Sequence, residues 1–133
     1  MRILRDGEFF ATGDDLQAIA DLASEDVSRY SFHPDDLREK QLAEINARCE
    51  KELQALRVTY PYSEVLTWDK QEAEARAGGG PLIDALAAAR GIDKQELIAR
   101  IIAKADAYAT AVGEILGRRQ AEEDALHEQG DSL

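Results

Sequence analysis

Apolar residues recur at helical spacing through the last third of the chain. They fall every three or four positions and predict one broad apolar helix face, made of Leu97, Ile98, Ile101, Ile102, Ala105, Tyr108, Ala109, Val112, Ile115 and Leu116. The helix is predicted to begin after Asp93, which resembles a capping box together with Glu96, and to run to about Glu128. At 1.5 Å per residue, such a helix would be roughly 50 Å long.

A second helical pattern is narrower and lies in the first half of the chain. It predicts a helix from Pro34 to about Arg57, with one apolar stripe made of Leu42, Ile45, Cys49, Leu53 and Leu56. Charged residues fill most other positions, so the stripe is closer to a coiled-coil seam than to a deeply buried helix. The stripe can pair with the long helix of the same chain or with a second copy, which leaves a homodimer open.

Residues 2–11 predict a small β-hairpin. Asp6-Gly7 is a preferred pair for a two-residue turn, because both positions need a positive φ angle. Phe9 and Phe10 follow the turn. Because a lone hairpin is only marginally stable in water, it must dock on the helices or on another chain.

Shorter patterns lie between these elements. Residues 14–23 predict a short helix, and residues 24–33 predict a polar connection. Residues 63–77 predict a further helix, for which Ser63 or Thr67 is the candidate N-cap.

Glycine and proline mark the boundaries that follow. Three consecutive glycines at positions 78–80 predict a flexible hinge or a loop tip. Pro81 is suited to open a short helix, and Gly91 to close it. Together the patterns predict a mainly α fold, a long helical hairpin or small bundle with a short N-terminal β-hairpin.

The net charge of the chain limits the classes of molecule that it is expected to bind. The chain of 133 residues carries a formal charge of −11, of which −5 lies in residues 1–62 and −6 in residues 63–133. An acidic field repels phosphate backbones, so we expect no nucleic-acid partner. No window approaches the roughly 18 apolar residues of a membrane span, and the first residues do not resemble a signal peptide. We therefore expect no membrane partner and a cytoplasmic location.

Catalytic and metal-binding patterns are not found in the sequence. Cys49 lies in an apolar stripe beside acidic residues, which favours a packed and unreactive thiol. His33 and His127 are far apart in polar surroundings, and His33 is best placed as a capping or surface residue. We expect no enzyme activity, no cofactor and no metal site.

Aromatic and basic residues are the best candidates for contacts with a partner. Tyr and Trp are enriched at binding hot spots, which draws attention to Tyr60-Pro61-Tyr62 and Trp68. The candidate partner-binding residues are Phe9, Phe10, Tyr60, Tyr62, Trp68, Tyr108, Arg118 and Arg119. The structural alternative is that Tyr62 and Trp68 pin their helix onto the long helices. The two arginines would then pair with the acids of their own helix, Glu114, Glu122 and Glu123.

A distinctive set of residues lies between positions 58 and 126: Tyr60-Pro61, Glu64, Thr67-Trp68, Gln71, Glu72-Ala73, Pro81-Leu82, Asp84-Ala85-Leu86, Arg90-Gly91, Arg100-Ile101, Lys104-Ala105, Tyr108 and Gly117-Arg118-Arg119-Gln120. This pattern resembles a protein family of tailed phages and prophages whose members are described as tail-fibre assembly proteins or chaperones. The resemblance implies a helical family domain over residues 58–133, preceded by a protein-specific region over residues 1–57. The protein-specific region, with its hairpin, is a candidate for recognising one particular fibre.

The resemblance implies that the protein is a tail-fibre assembly chaperone in the host bacterial cytoplasm. Its partner would be a phage tail-fibre protein. Two alternatives stay open. One is a structural tail or fibre adaptor that is retained in the virion. The other is a small acidic inhibitor of a host protein, which the interleaving of acids with bases along the helices disfavours.

Overall fold

The computed structural model describes residues 1–131. In chain order the strands are β1 Arg2–Arg5, β2 Glu8–Thr12 and β3 Tyr30–Phe32, and the helices are α1 Leu16–Ala23, α2 Pro34–Ala55, α3 Tyr62–Val65, α4 Trp68–Arg76, α5 Pro81–Arg90 and α6 Lys94–Asp131. The chain divides into two compact units. Unit 1 comprises Met1–Arg48 and Gln120–Leu133, and unit 2 comprises Cys49–Arg119.

The predicted hairpin is confirmed, and it forms two strands of a three-stranded antiparallel sheet. Asp6 and Gly7 have φ angles of 53° and 86°, as their turn requires. The strand order is β2-β1-β3, so β1 is the central strand. The register of β1 and β2 shifts after Ile3. Ile3 pairs with Ala11, whereas Leu4 pairs with Phe9, so Phe10 is the extra residue of a β-bulge in β2.

The sheet of unit 1 is stabilised by packing against α1. Ile3, Ala20 and Tyr30 form the buried cluster, with partly buried apolar neighbours Leu16, Ile19, Ala23 and Phe32. The Asp15 side chain caps α1 by accepting the N–H of Ala18 at 3.1 Å. The hairpin therefore docks on its own chain.

The prediction of a polar connection over residues 24–33 was wrong. Val27–Arg29 form a 3-10 turn, and the next three residues form β3. β3 pairs with β1 through the register Ile3–Phe32 and Arg5–Tyr30. A three-residue strand is too short to show an alternating pattern, and its pairing with β1 is long-range in sequence.

Helix α2 begins at a cap formed by His33, as expected for this residue. His33 Nδ1 accepts the N–H of Asp35 at 3.1 Å. Asp36, in the first turn, accepts three hydrogen bonds from Arg2 of β1. Within unit 1, the last part of α6 is joined to α2 by an ion pair of 3.4 Å between Arg48 and Glu122.

Helices α4 and α5 of unit 2 are joined by the three glycines, which form a hydrogen-bonded turn, as the loop-tip alternative predicts. Gly78 donates its N–H to Ala75 O at 3.1 Å, and Gly79 donates to Glu74 O at 2.8 Å. This pair of bonds is the Schellman motif that closes α4. Gly91 ends α5 with a φ angle of 68°, as predicted.

The core of unit 2 lies between α4, α5 and the first turns of α6. Its buried residues are Ala75, Ile83, Ala87, Leu97 and Ile98. The Asp93 side chain accepts the N–H of Glu96 at 3.1 Å and so caps α6, as the capping-box pattern predicts.

The single helix predicted over residues 63–77 is divided into α3 and α4. Neither Ser63 nor Thr67 acts as a side-chain cap. The Thr67 hydroxyl instead donates to Glu64 O at 2.7 Å, on the preceding turn.

The predicted fold class, mainly α with a short N-terminal β-hairpin, is confirmed. The division into regions 1–57 and 58–133 rests on the extent of a resemblance and stays a prediction. Its last two residues lie outside the described part of the chain. No helix among the described residues is long and apolar enough to cross a membrane.

Candidate interaction surface

Three of the predicted partner-binding aromatics come together in unit 2. The Tyr60 ring lies edge-on to Trp68, with ring centroids 5.1 Å apart. Trp68, at the start of α4, lies edge-on to Tyr108 of α6, with centroids 5.4 Å apart. Such pairs stabilise packing by about 0.5–1.5 kcal/mol each beyond the area that they bury. The structural alternative therefore holds for Trp68, which pins α4 onto the long helix.

Residues 58–66, called here the apolar segment, are anchored through Tyr60 but expose most of their apolar side chains. Val58 is 76% exposed, Tyr62 75% and Leu66 66%. For Tyr62 the pinning alternative was wrong, since a side chain this exposed pins nothing. Contiguous exposed apolar side chains of this kind are typical of interaction sites.

The apolar segment is held in a defined conformation by local hydrogen bonds. Tyr60 donates its N–H to Arg57 O at 3.0 Å and closes a turn around Val58. Leu66 donates its N–H to Tyr62 O at 3.2 Å, so these residues are four apart on one helical turn. Residues at this spacing lie on the same side of a helix, which brings Tyr62 and Leu66 together.

Charge is depleted around the apolar segment. Glu64 is the one charged residue among residues 58–68, whereas charged residues make up 32% of the whole chain. Depletion of charge with enrichment of Tyr and Trp distinguishes the centre of protein interfaces from the rest of the surface. The apolar segment has both properties.

The two phenylalanines of β2, in unit 1, differ in their surroundings. Phe9 is 65% exposed. Phe10 lies edge-on to Tyr30 with centroids 5.5 Å apart, and the Arg5 guanidinium lies 5.3 Å from its ring centroid. Phe10 is therefore partly used by its own sheet, and Phe9 is the side chain of the pair that is left for a partner.

The two predicted arginines are engaged within the chain. Arg118 pairs with Glu52 of α2 at 2.8 Å, so the prediction that it pairs with an acid of its own helix was wrong. Arg119 is half-buried and has an interaction of its own. A partner would have to compete with these contacts, which makes the arginines weaker candidates than the apolar segment.

Metal-ligating side chains do not cluster in the part of the chain that the structure describes. No three His, Cys, Asp or Glu side chains among residues 1–131 are placed to hold a metal ion. Cys49 is buried. A shallow depression in unit 1 has a volume of about 220 Å³, below the ~300 Å³ at which ligand pockets begin. It is lined by Asp35, Arg38, Glu39, Leu42, Glu123, Leu126 and His127.

Sequence reasoning missed two members of the surface, Val58 and Leu66. Their exposure depends on how the segment is held against α6, which periodicity does not reveal. The signal that could have found them is the run of uncharged residues from position 58 to 63 in an otherwise highly charged chain.

Comparison with known proteins gives one partial match. A family model described as the HI1402 helical domain matches residues 103–132, a stretch that begins in the first half of α6. This match covers less than half of the chain and assigns no family to the whole protein. No curated protein and no solved structure matches the chain.

Proposed function

We propose that this protein is an assembly chaperone for the tail fibre of a tailed phage or phage-like particle and that it acts in the cytoplasm of the bacterial host. The observation that carries the proposal is the exposed, charge-depleted apolar segment of unit 2. Val58, Tyr62 and Leu66 offer apolar contacts to another protein without unfolding of the chaperone itself.

The class of partner is supported by the resemblance of residues 58–126 to tail-fibre assembly proteins. The resemblance includes the apolar segment, through Tyr60-Pro61 and Glu64, and the residues that anchor it, Trp68 and Tyr108. The residues that define the resemblance therefore include those that anchor the exposed surface, whereas Val58, Tyr62 and Leu66 themselves are not part of the matching pattern.

The mechanism is reversible covering of apolar surface. A fibre subunit exposes apolar residues until it has folded with its neighbours, and such surface leads to aggregation while it is exposed. The apolar segment would bind this surface and release it when subunits of the fibre replace the chaperone. The mechanism requires no nucleotide and no covalent step.

Co-expression with a phage tail-fibre protein tests the proposal. We expect the wild-type protein to raise the yield of soluble, assembled fibre. The double variant Tyr62→Ser, Leu66→Ser should abolish most of the gain. Leu22→Ser is the matched control, because Leu22 is an apolar residue of unit 1 that is 85% exposed. Fibre that assembles equally well without the protein would overturn the proposal.

The adaptor alternative makes a different prediction for the finished particle. An assembly chaperone leaves before the particle is complete, whereas an adaptor stays in fixed copy number. Quantitative mass spectrometry of purified particles distinguishes the two. A constant ratio of this protein to the fibre would favour the adaptor.

A further inference from the structure

We propose that the apolar segment binds a short, uncharged, apolar stretch of an unassembled protein chain in a transient contact, and that it does not bind a second copy of this protein. The inference rests on the proposed function and states the chemistry that the partner must offer. Three properties of the segment carry it: its charge, its area and its support.

Charge determines which partner surface fits. The four exposed apolar side chains, Val58, Tyr60, Tyr62 and Leu66, have Glu64 as the one charged residue among them. A charged group on the partner would lose water at this surface, where the segment itself offers Glu64 as its one charged side chain. The complementary surface is therefore apolar and uncharged, which argues against nucleic acid and against an anionic membrane.

The whole-chain charge disfavours self-association through the segment. Each copy carries a formal charge of −11, so two copies repel each other as they approach. The segment contains Glu64 and no basic residue, so it provides no opposite charges that would offset this repulsion. A partner without a strong negative charge does not meet this cost.

The exposed area indicates a transient contact. The exposed fractions of Val58, Tyr60, Tyr62 and Leu66 are 76%, 42%, 75% and 66%. With typical side-chain areas, these fractions correspond to roughly 400 Å² of apolar surface. A stable interface buries about 800 Å² on each partner. The segment therefore provides about half of what a lasting complex needs, which suits binding followed by release.

Rigid support reduces the cost of binding. Tyr60 is fixed on Trp68, which is fixed in turn on Tyr108. The turn at Tyr60 and the helical turn from Tyr62 to Leu66 are closed by backbone hydrogen bonds. A surface that is already ordered loses little conformational entropy when it binds, so a small area is sufficient for weak but measurable affinity.

Trp68 provides the probe that tests the inference on the full chain. It is the chain's one tryptophan and contacts the apolar segment through Tyr60, so its fluorescence reports binding there. Short synthetic peptides of Val, Leu, Ser and Thr should shift its emission in a saturable manner at about 150 mM salt. Replacing two central residues of the peptide by Lys, or by Glu, should weaken binding about tenfold or more.

Variants locate the effect on the segment. Tyr62→Ser with Leu66→Ser should weaken binding of the uncharged peptide about tenfold or more, whereas Leu22→Ser should leave it unchanged. Both substituted positions are mostly exposed, and circular dichroism should show an intact fold. Tighter binding of the Lys peptide, or an equal loss with Leu22→Ser, would overturn the inference.

Two further measurements address the other possible occupants. Analytical ultracentrifugation would overturn the inference if the protein formed a dimer that the Tyr62, Leu66 double variant dissolved. Binding to phosphatidylserine vesicles that depends on the same two residues would also overturn it.

If no peptide binds but fibre yield still depends on the protein, the inference fails and the proposed function stands. If peptides bind but fibre yield is unaffected, the inference stands and the proposed function fails.

Discussion

Gly80 is the residue that allows Glu74 to cap helix α5. The Oε1 atom of Glu74 accepts the N–H groups of Leu82 at 2.9 Å and Ile83 at 3.3 Å, in the first turn of α5. A Cβ atom on Gly80 would overlap this carboxylate. The φ angle of Gly80 is 172°, an extended conformation open to other residues, so the requirement is for space.

Gly80→Ala should therefore lower the free energy of unfolding by about 1–2 kcal/mol. The methyl group displaces Glu74 and leaves two N–H groups at the start of α5 without their acceptor. Urea denaturation followed by circular dichroism measures the change. Glu74→Ala should cost a similar amount, and adding Gly80→Ala to it should then cost less than about 0.5 kcal/mol. Equal costs in the two backgrounds would show that the clash does not involve Glu74.

Gly113→Ala and Gly117→Ala should each stabilise the isolated protein by about 0.5–1 kcal/mol. Both glycines lie inside α6, where glycine is unfavourable relative to alanine. Apart from the adjoining residues and backbone of α6 itself, a Cβ at either position meets no atom of the described residues within 4 Å. Gly91→Ala is the control and should destabilise the protein, because Gly91 has a φ angle of 68°, which is unfavourable for alanine. Destabilisation by either α6 substitution, with a dependence on protein concentration, would reveal a second chain packed against the glycines.

Asp36 should make the stability of the fold sensitive to acid. Arg2 donates to its carboxylate from the backbone N at 2.7 Å, from Nε at 3.0 Å and from Nη2 at 2.8 Å. These bonds hold the pKa of Asp36 well below its usual value. The stabilisation is present above the unfolded-state pKa of about 3.9 and is lost as the pH falls through the lower folded-state pKa.

Asp36→Asn should thus be less stable than the wild type at neutral pH, and the gap should narrow as the pH falls below about 4. Urea midpoints measured from neutral pH down to about pH 2.5 test this expectation. Glu8→Gln is the control, because Glu8 is exposed and forms no ion pair within residues 1–131. A gap that stays constant over the whole range would contradict the linkage.

Substitutions at Ile3 and Phe9 should distinguish the structural role of the hairpin from its proposed role in recognising the fibre. Ile3 is fully buried, so Ile3→Ala should cost about 2–4 kcal/mol of stability. Phe9→Ser should change stability by less than about 0.5 kcal/mol, since Phe9 is 65% exposed. If the hairpin recognises the fibre, Phe9→Ser should reduce fibre capture in a pull-down several-fold, and unchanged capture would contradict that role. Deletion of residues 1–12 would not decide the question, because it removes the central strand β1.

Local signals in the sequence were sufficient for much of the fold. Asp6-Gly7 specifies its turn because few residue pairs adopt two positive φ angles, and Gly91 specifies a helix end for the same reason. The long stripe that leads to α6 needs only periodicity. These features depend on the residues themselves and their close neighbours in the chain.

Features that depend on distant residues were not predicted. β3 exists because Ser31 and its neighbours pair with β1, which lies more than twenty residues earlier. The three glycines were compatible with a hinge as well as a loop tip, because the sequence does not show that Glu74 and the Lys94 side chain approach Gly80 and Gly79. For the same reason the sequence did not reveal that Arg118 pairs with Glu52.

The division of the chain into units has a consequence for the order in which the protein matures on the ribosome. Unit 2 is one continuous stretch, whereas unit 1 is made from two stretches on either side of it. Arg48 can form its ion pair with Glu122 only after residues 49–119 have been synthesised, which takes about 4–14 s at bacterial rates. Residues 58–66 are therefore synthesised while unit 1 still lacks its last segment. The growing chain would thus present the apolar segment before its own N-terminal unit has closed.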